Sequence, residues 1–143
     1  MEIIDLGSIS LALQVIILFL LIIGLPFVKG KDSKNNAKRH GYSTLAAVVL
    51  HTILIFGVMV PSYSSNLEAI AGFSVVESIT VWSHVVLGSL AEVLAVGLVA
   101  AWLLKSPSKM TCYKTRRWMT PIFIIWAISL VNGALLHILG IYN

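Results

Sequence analysis

Apolar residues collect along this chain in four runs, and polar residues collect between them. A helix rises ~1.5 Å per residue, so about 20 apolar residues carry it across the hydrocarbon core of a bilayer. The pattern predicts spans over about Ser8–Val28, Gly41–Val60, Thr80–Leu104 and Trp118–Leu139, with Pro61-Ser62 stopping the second. Connections this short make successive spans antiparallel. The expected architecture is therefore all-α: one integral membrane domain, residues 1–143, folded as an up-down-up-down four-helix bundle. Within the Ser62–Ile79 connection, Leu67–Ile79 is expected to form a short amphipathic helix along the membrane surface. Tyr42, Trp82, Trp102, Trp118 and Tyr142 lie near span ends, where aromatic side chains anchor a helix at the interface.

The polar punctuation sets a direction. All ten Lys and Arg residues fall between Lys29 and Arg39 or between Lys105 and Arg117, five in each stretch. The other connection and the termini hold Glu2, Asp5, Glu68 and Glu77 instead. Cytoplasmic loops concentrate Lys and Arg. Both basic loops are therefore expected in the cytoplasm, and both termini outside it. The first apolar run has no basic residue before it and is too long for a signal h-region, so it reads as a span rather than a cleaved leader.

Composition removes whole classes of function. With 58% hydrophobic residues, 11% charged residues and a mean hydropathy of +0.94, an ordinary soluble domain is excluded. The net charge of +4 belongs to topology and anionic headgroups, so the bilayer is the expected partner and nucleic acid is not. Cys112 is the single cysteine, which rules out an intrachain disulfide; with Met110 and Tyr113 it makes only a weak soft-metal signal. CxxCH, Walker, HExxH and nucleophile-elbow motifs are absent, which favours an accessory or electron-carrying role over a stand-alone enzyme.

Polar side chains within the spans are costly and therefore informative. Counting from the basic ends, His84 lies 21 positions from Lys105 and His137 lies 20 from Arg117. At ~1.5 Å per residue both stand roughly 30 Å up, near the outer interface. Gly88 lies one turn below His84 and Gly133 one turn below His137. Imidazoles on two helices, each above a residue without a side chain, suit a bis-histidine haem b with His84 and His137 as iron ligands. Adjacent helix axes are only about 8–10 Å apart, so such a haem requires the bundle to splay or the two helices to be diagonal. The competing reading is that each His bonds a nearby backbone carbonyl or reaches the interface, while the glycines serve helix packing.

A second polar layer lies near mid-membrane. His51 is 11 positions above His40, and Glu92 is 13 positions from Lys105. Gln14 and Asn132 stand between this layer and the histidine pair, about 22 Å up. A carboxylate at this depth is expected to be protonated or paired, with His51 or Asn132 as candidate partners. A proton relay, a His51–Glu92 metal site, a quinone contact and a register-fixing cluster all remain open. His40 shares a helix face with His51, but no histidine on the third or fourth span reaches its height, which argues against a second bis-histidine haem.

Three stretches also resemble a known family. Lys38-Arg39-His40 opening the second span, His84 in the third, and Arg116-Arg117-Trp118-Met119-Thr120-Pro121 opening the fourth resemble the YozB/CtaM-like small four-helix membrane proteins. The resemblance covers roughly Lys38 to Leu139. It departs from the family at Tyr113, near which members carry a His, and at His137, where a Tyr is usual. It implies a link to respiratory haem-copper oxidases, whose maturation some members assist. Three functions follow as expectations: a b-type haem electron carrier, an assembly factor handling haem or copper for such an oxidase, and a cofactor-free structural subunit of a membrane complex.

Overall fold

The computed structural model describes residues 6–24, 33–104 and 109–139, and these are helical almost throughout. The elements are α1 (Leu6–Gly24), α2 (Ser33–Leu54), a π-helical turn (Ile55–Met59), α3 (Val60–Ser65), α4 (Leu67–Ala71), α5 (Val75–Leu104) and α6 (Lys109–Ile138). Four segments are long and apolar enough to cross a membrane: Gly7–Gly24, Lys38–Ser65, Val75–Leu104 and Arg117–Ile138. The four-span, all-helical fold expected from hydropathy is the fold observed.

Packing follows chain order around a ring, with α1 against α2, α2 against α5, α5 against α6, and α6 back against α1. Polar ties fix the antiparallel sense. Ser43 donates its hydroxyl to the Leu20 carbonyl at 2.7 Å between α1 and α2, while Ser8 at the start of α1 meets His137 at the end of α6. The mid-bundle core joins Ile17, Ala47, Leu54, Ala91 and Trp126. A second cluster, Ile70, Val81 and Leu136, seals the end away from Lys38, Arg39 and Arg117. Outward faces carry exposed Phe19, Ile53, Phe56, Val93 and Val131, as lipid contact requires.

Three boundaries and one anchor differ from the sequence expectation. Pro61 does not stop the second span; the helical path continues to Ser65. The wide turn just before it absorbs the ring: Val60 N–H bonds the Ile55 carbonyl, and Gly57, four residues before Pro61, has open space around its Cα. The surface helix is only Leu67–Ala71, because Val75–Ile79 belongs to α5. A capping box starts α5 early, with Ser74 N–H bonding Glu77 Oε2 at 2.8 Å and Glu77 N–H facing Ser74 Oγ at 3.4 Å. Trp102 is 7% exposed and no interfacial anchor, whereas Trp82, Trp118 and Tyr42 face outward. Pro26, Tyr142, residues 29–32 of the first basic stretch and the side chains of Met110, Cys112 and Tyr113 lie outside the described residues.

Candidate functional site

The mid-membrane layer forms one connected network. His51 Nδ1 lies 2.7 Å from Glu92 Oε2, and Trp126 donates its indole N–H to His51 Nε2 at 3.3 Å. An indole nitrogen can only donate, so His51 Nε2 accepts and the ring proton sits on Nδ1, donating to the carboxylate. The other carboxylate oxygen, Glu92 Oε1, makes a short hydrogen bond with the Thr52 hydroxyl. Thr52 Oγ1 is also 2.9 Å from the Val48 carbonyl.

A hydroxyl carries one hydrogen, so Thr52 cannot donate both ways at once. With Glu92 ionised, Thr52 donates to Oε1. With Glu92 protonated, the carboxyl donates to Thr52 and Thr52 turns its hydrogen to Val48. The same heavy-atom positions therefore serve both protonation states of the carboxyl. Of the two candidate partners, Glu92 takes His51 and not Asn132, whose amide donates to Ser83 Oγ at 3.0 Å. Neighbouring helices set these choices, because a side chain bonds what its helix face meets.

Two cavities flank this network. One, about 260 Å³, is lined by Gln14, His84, Gly88, Gly133 and His137 among others. The second, about 380 Å³, lies toward the basic end and is lined by His40, Thr44, Glu92 and Trp102 among others. Among the described residues, only His51 and Trp126 line both. His40 and His51, predicted to share a face, do look into one space.

His84 and His137, at the end away from the basic loops, are brought to one cavity, on adjacent rather than diagonal helices. The His84 Nδ1–H donates to the Ser129 carbonyl at 2.8 Å, which leaves Nε2 as the ring's lone-pair nitrogen. Ser129 in return donates its hydroxyl to the His84 carbonyl at 3.2 Å. His137 Nε2 stands 3.4 Å from Ser8 Oγ. The two glycines are not an open shelf for a flat ring. A Cβ on Gly133 would stand 2.8 Å from His84 Cε1, and one on Gly88 would stand 3.0 Å from Ser129 Oγ. Imidazole and hydroxyl fill the room that the glycines leave. Val81 and Leu136, both fully buried, close this end, so the splay that a haem needs is not present in this packing. The cavity is also smaller than the roughly 300–1,000 Å³ usual for ligand pockets.

Among the described residues, no three His, Cys, Asp or Glu side chains converge as a metal cage. Sequence reasoning missed Thr52, Trp126 and Ser129. Trp126 carried a signal, since a tryptophan at mid-span is far from the interfaces where the residue normally anchors. Thr52 and Ser129 carried none, because hydroxyls of this kind usually bond their own helix. No protein-family model, curated protein or solved structure matches this chain.

Proposed function

We propose that this chain handles protons inside the membrane, with Glu92 and His51 as the exchanging pair. One observation carries the reading: among the described residues, the only two lining both cavities include His51, which is bonded to a carboxyl whose Thr52 partner accommodates it with or without its proton. A proton delivered to His51 Nε2 from the opposite cavity, once the Trp126 indole turns aside, pushes the Nδ1 proton onto Glu92, which releases it to the basic-end cavity. By the positive-inside rule the basic end faces the cytoplasm, so the relay runs between the cytoplasmic and outer halves of the bilayer. The test uses the protein reconstituted in liposomes with a trapped pH-sensitive dye and a potassium diffusion potential. Wild type is expected to admit protons, and Glu92→Gln to reduce the flux to that of empty vesicles. Equal flux in wild type and Glu92→Gln removes Glu92 from the path.

A second reading is a b-type haem held by His84 and His137, the electron carrier expected from their equal depth. One observation favours it: a ligating imidazole normally has its other nitrogen held by a carbonyl, as Ser129 holds His84 Nδ1. His84 Nε2 and His137 would be the ligands, and haem would supply one-electron redox chemistry. An assembly factor handling haem or copper for a respiratory oxidase, in line with the YozB/CtaM-like resemblance, would use the same two side chains. The visible spectrum of the detergent-purified protein separates these readings from a cofactor-free subunit.

A further inference from the structure

His40 and Trp102 both line the basic-end cavity, and each carries a buried ring nitrogen, His40 Nε2 and Trp102 Nε1, with no hydrogen-bond partner among the described residues. His40 is 6% exposed and Trp102 is 7% exposed, so water outside the bundle does not satisfy them. Buried polar atoms are nearly always paired, and each orphan is costly. The two residues come from different helices, α2 and α5, and line one cavity.

Their chemistry is complementary. His40 Nδ1 lies 2.9 Å from the Gly24 carbonyl, an acceptor only, so Nδ1 carries the proton and Nε2 presents a bare lone pair. Trp102 Nε1 is a donor only. A group that satisfies both must accept from the indole and donate to the imidazole. A hydroxyl does this with one oxygen, whereas a carbonyl answers Trp102 alone and an ammonium answers His40 alone.

The donor is pinned in place. The Trp102 indole lies so closely over Gly41 that any side chain there would collide with the ring, and Tyr42 meets it edge-on with centroids 5.5 Å apart. The cavity volume, about 380 Å³, falls in the usual range for small-molecule sites. Its remaining wall is largely apolar and includes Phe123 and Trp126, surfaces suited to a flat ring.

We propose that this cavity binds the head of a quinol, an aromatic ring whose hydroxyl accepts from Trp102 Nε1 and donates to His40 Nε2. The site recognises the reduced form, because oxidation turns the hydroxyl into a carbonyl and leaves His40 unanswered. His51 and Glu92 line the same cavity, but neither hydrogen bond of the proposal uses them, so it does not rest on the proton-handling reading.

Calorimetric titration of the detergent-purified protein under anaerobic conditions tests it, with three probes: menadiol, menadione and the dimethyl ether of menadiol. Menadiol is expected to bind saturably, and the quinone and the ether about tenfold or more weaker, the worth of one good buried hydrogen bond. His40→Asn keeps an amide N–H for the Gly24 carbonyl but lacks the Nε2 position, so the preference for menadiol over the ether is lost. Trp102→Phe keeps a ring over Gly41 and removes the N–H, weakening menadiol about tenfold; it decides the matter alone if His40→Asn does not fold. Absence of saturable menadiol binding, equal binding of all three probes, or unchanged affinity in both variants overturns the proposal. Any of these leaves a trapped water as the hydroxyl that the two nitrogens hold.

Discussion

The imidazole of His84 lies on Gly133 of the next helix, so close that a methyl group there would stand 2.8 Å from its Cε1. This contact, with the bond from His84 to the Ser129 carbonyl, makes the half of the α5–α6 seam away from the basic end a polar clasp. The glycine serves the histidine of the opposite helix rather than the one on its own.

Gly133→Ala is therefore expected to displace the His84 ring. Overpacking costs about 1–3 kcal/mol, and better helix propensity returns less than about 1 kcal/mol of it. A net loss of about 1–2 kcal/mol should appear in denaturant unfolding of the purified protein. Gly88→Ala should cost less, because it meets only the Ser129 hydroxyl, at 3.0 Å.

Glu92→Gln should fold as well as wild type. The amide oxygen accepts from His51 Nδ1–H, and the amide nitrogen donates to Thr52, whose own hydrogen goes to Val48. Glu92→Ala strands the His51 N–H in the bundle interior and should cost about 1–3 kcal/mol. Similar losses in both variants would point to a buried ion pair instead.

Trp126→Phe should remove the indole donor from His51 Nε2. Nitrogen NMR of labelled imidazole is expected to show the Nδ1–H tautomer in wild type and, in the variant, an Nε2 resonance shifted by the loss of its hydrogen bond. An Nε2–H tautomer in wild type contradicts the donor assignment.

The haem reading makes its own forecast. If the purified protein is pigmented, His84→Ala and His137→Ala should each abolish the low-spin spectrum, and His40→Ala should leave it intact. A spectrum that survives His84→Ala moves the ligation to His51.

Sidedness rests on charge alone and is directly measurable. Tags at either terminus should be accessible only from outside intact cells, and Cys112 should react only with reagents admitted to the cytoplasm. A cytoplasmic terminus reverses the direction assigned to the relay.

The sequence by itself determined the number of spans, their antiparallel order and the depth of each polar residue. Hydropathy is read along one dimension, and helical rise converts a count of residues into height. That is why His51 and Glu92 are legible as one layer, and His84 and His137 as another. Height does not tell which way a side chain turns about its helix axis, nor which helix it meets. Only the tertiary structure decided that Glu92 takes His51 and Thr52 rather than Asn132, that Gly133 holds the His84 ring, and that Trp102 turns inward over Gly41. It likewise decided that the helix runs past Pro61, since a wide turn relieves a ring that propensity alone reads as a stop. Each of these depends on surfaces from two or more segments fitting together, and packing of that kind is written in no single stretch of the chain.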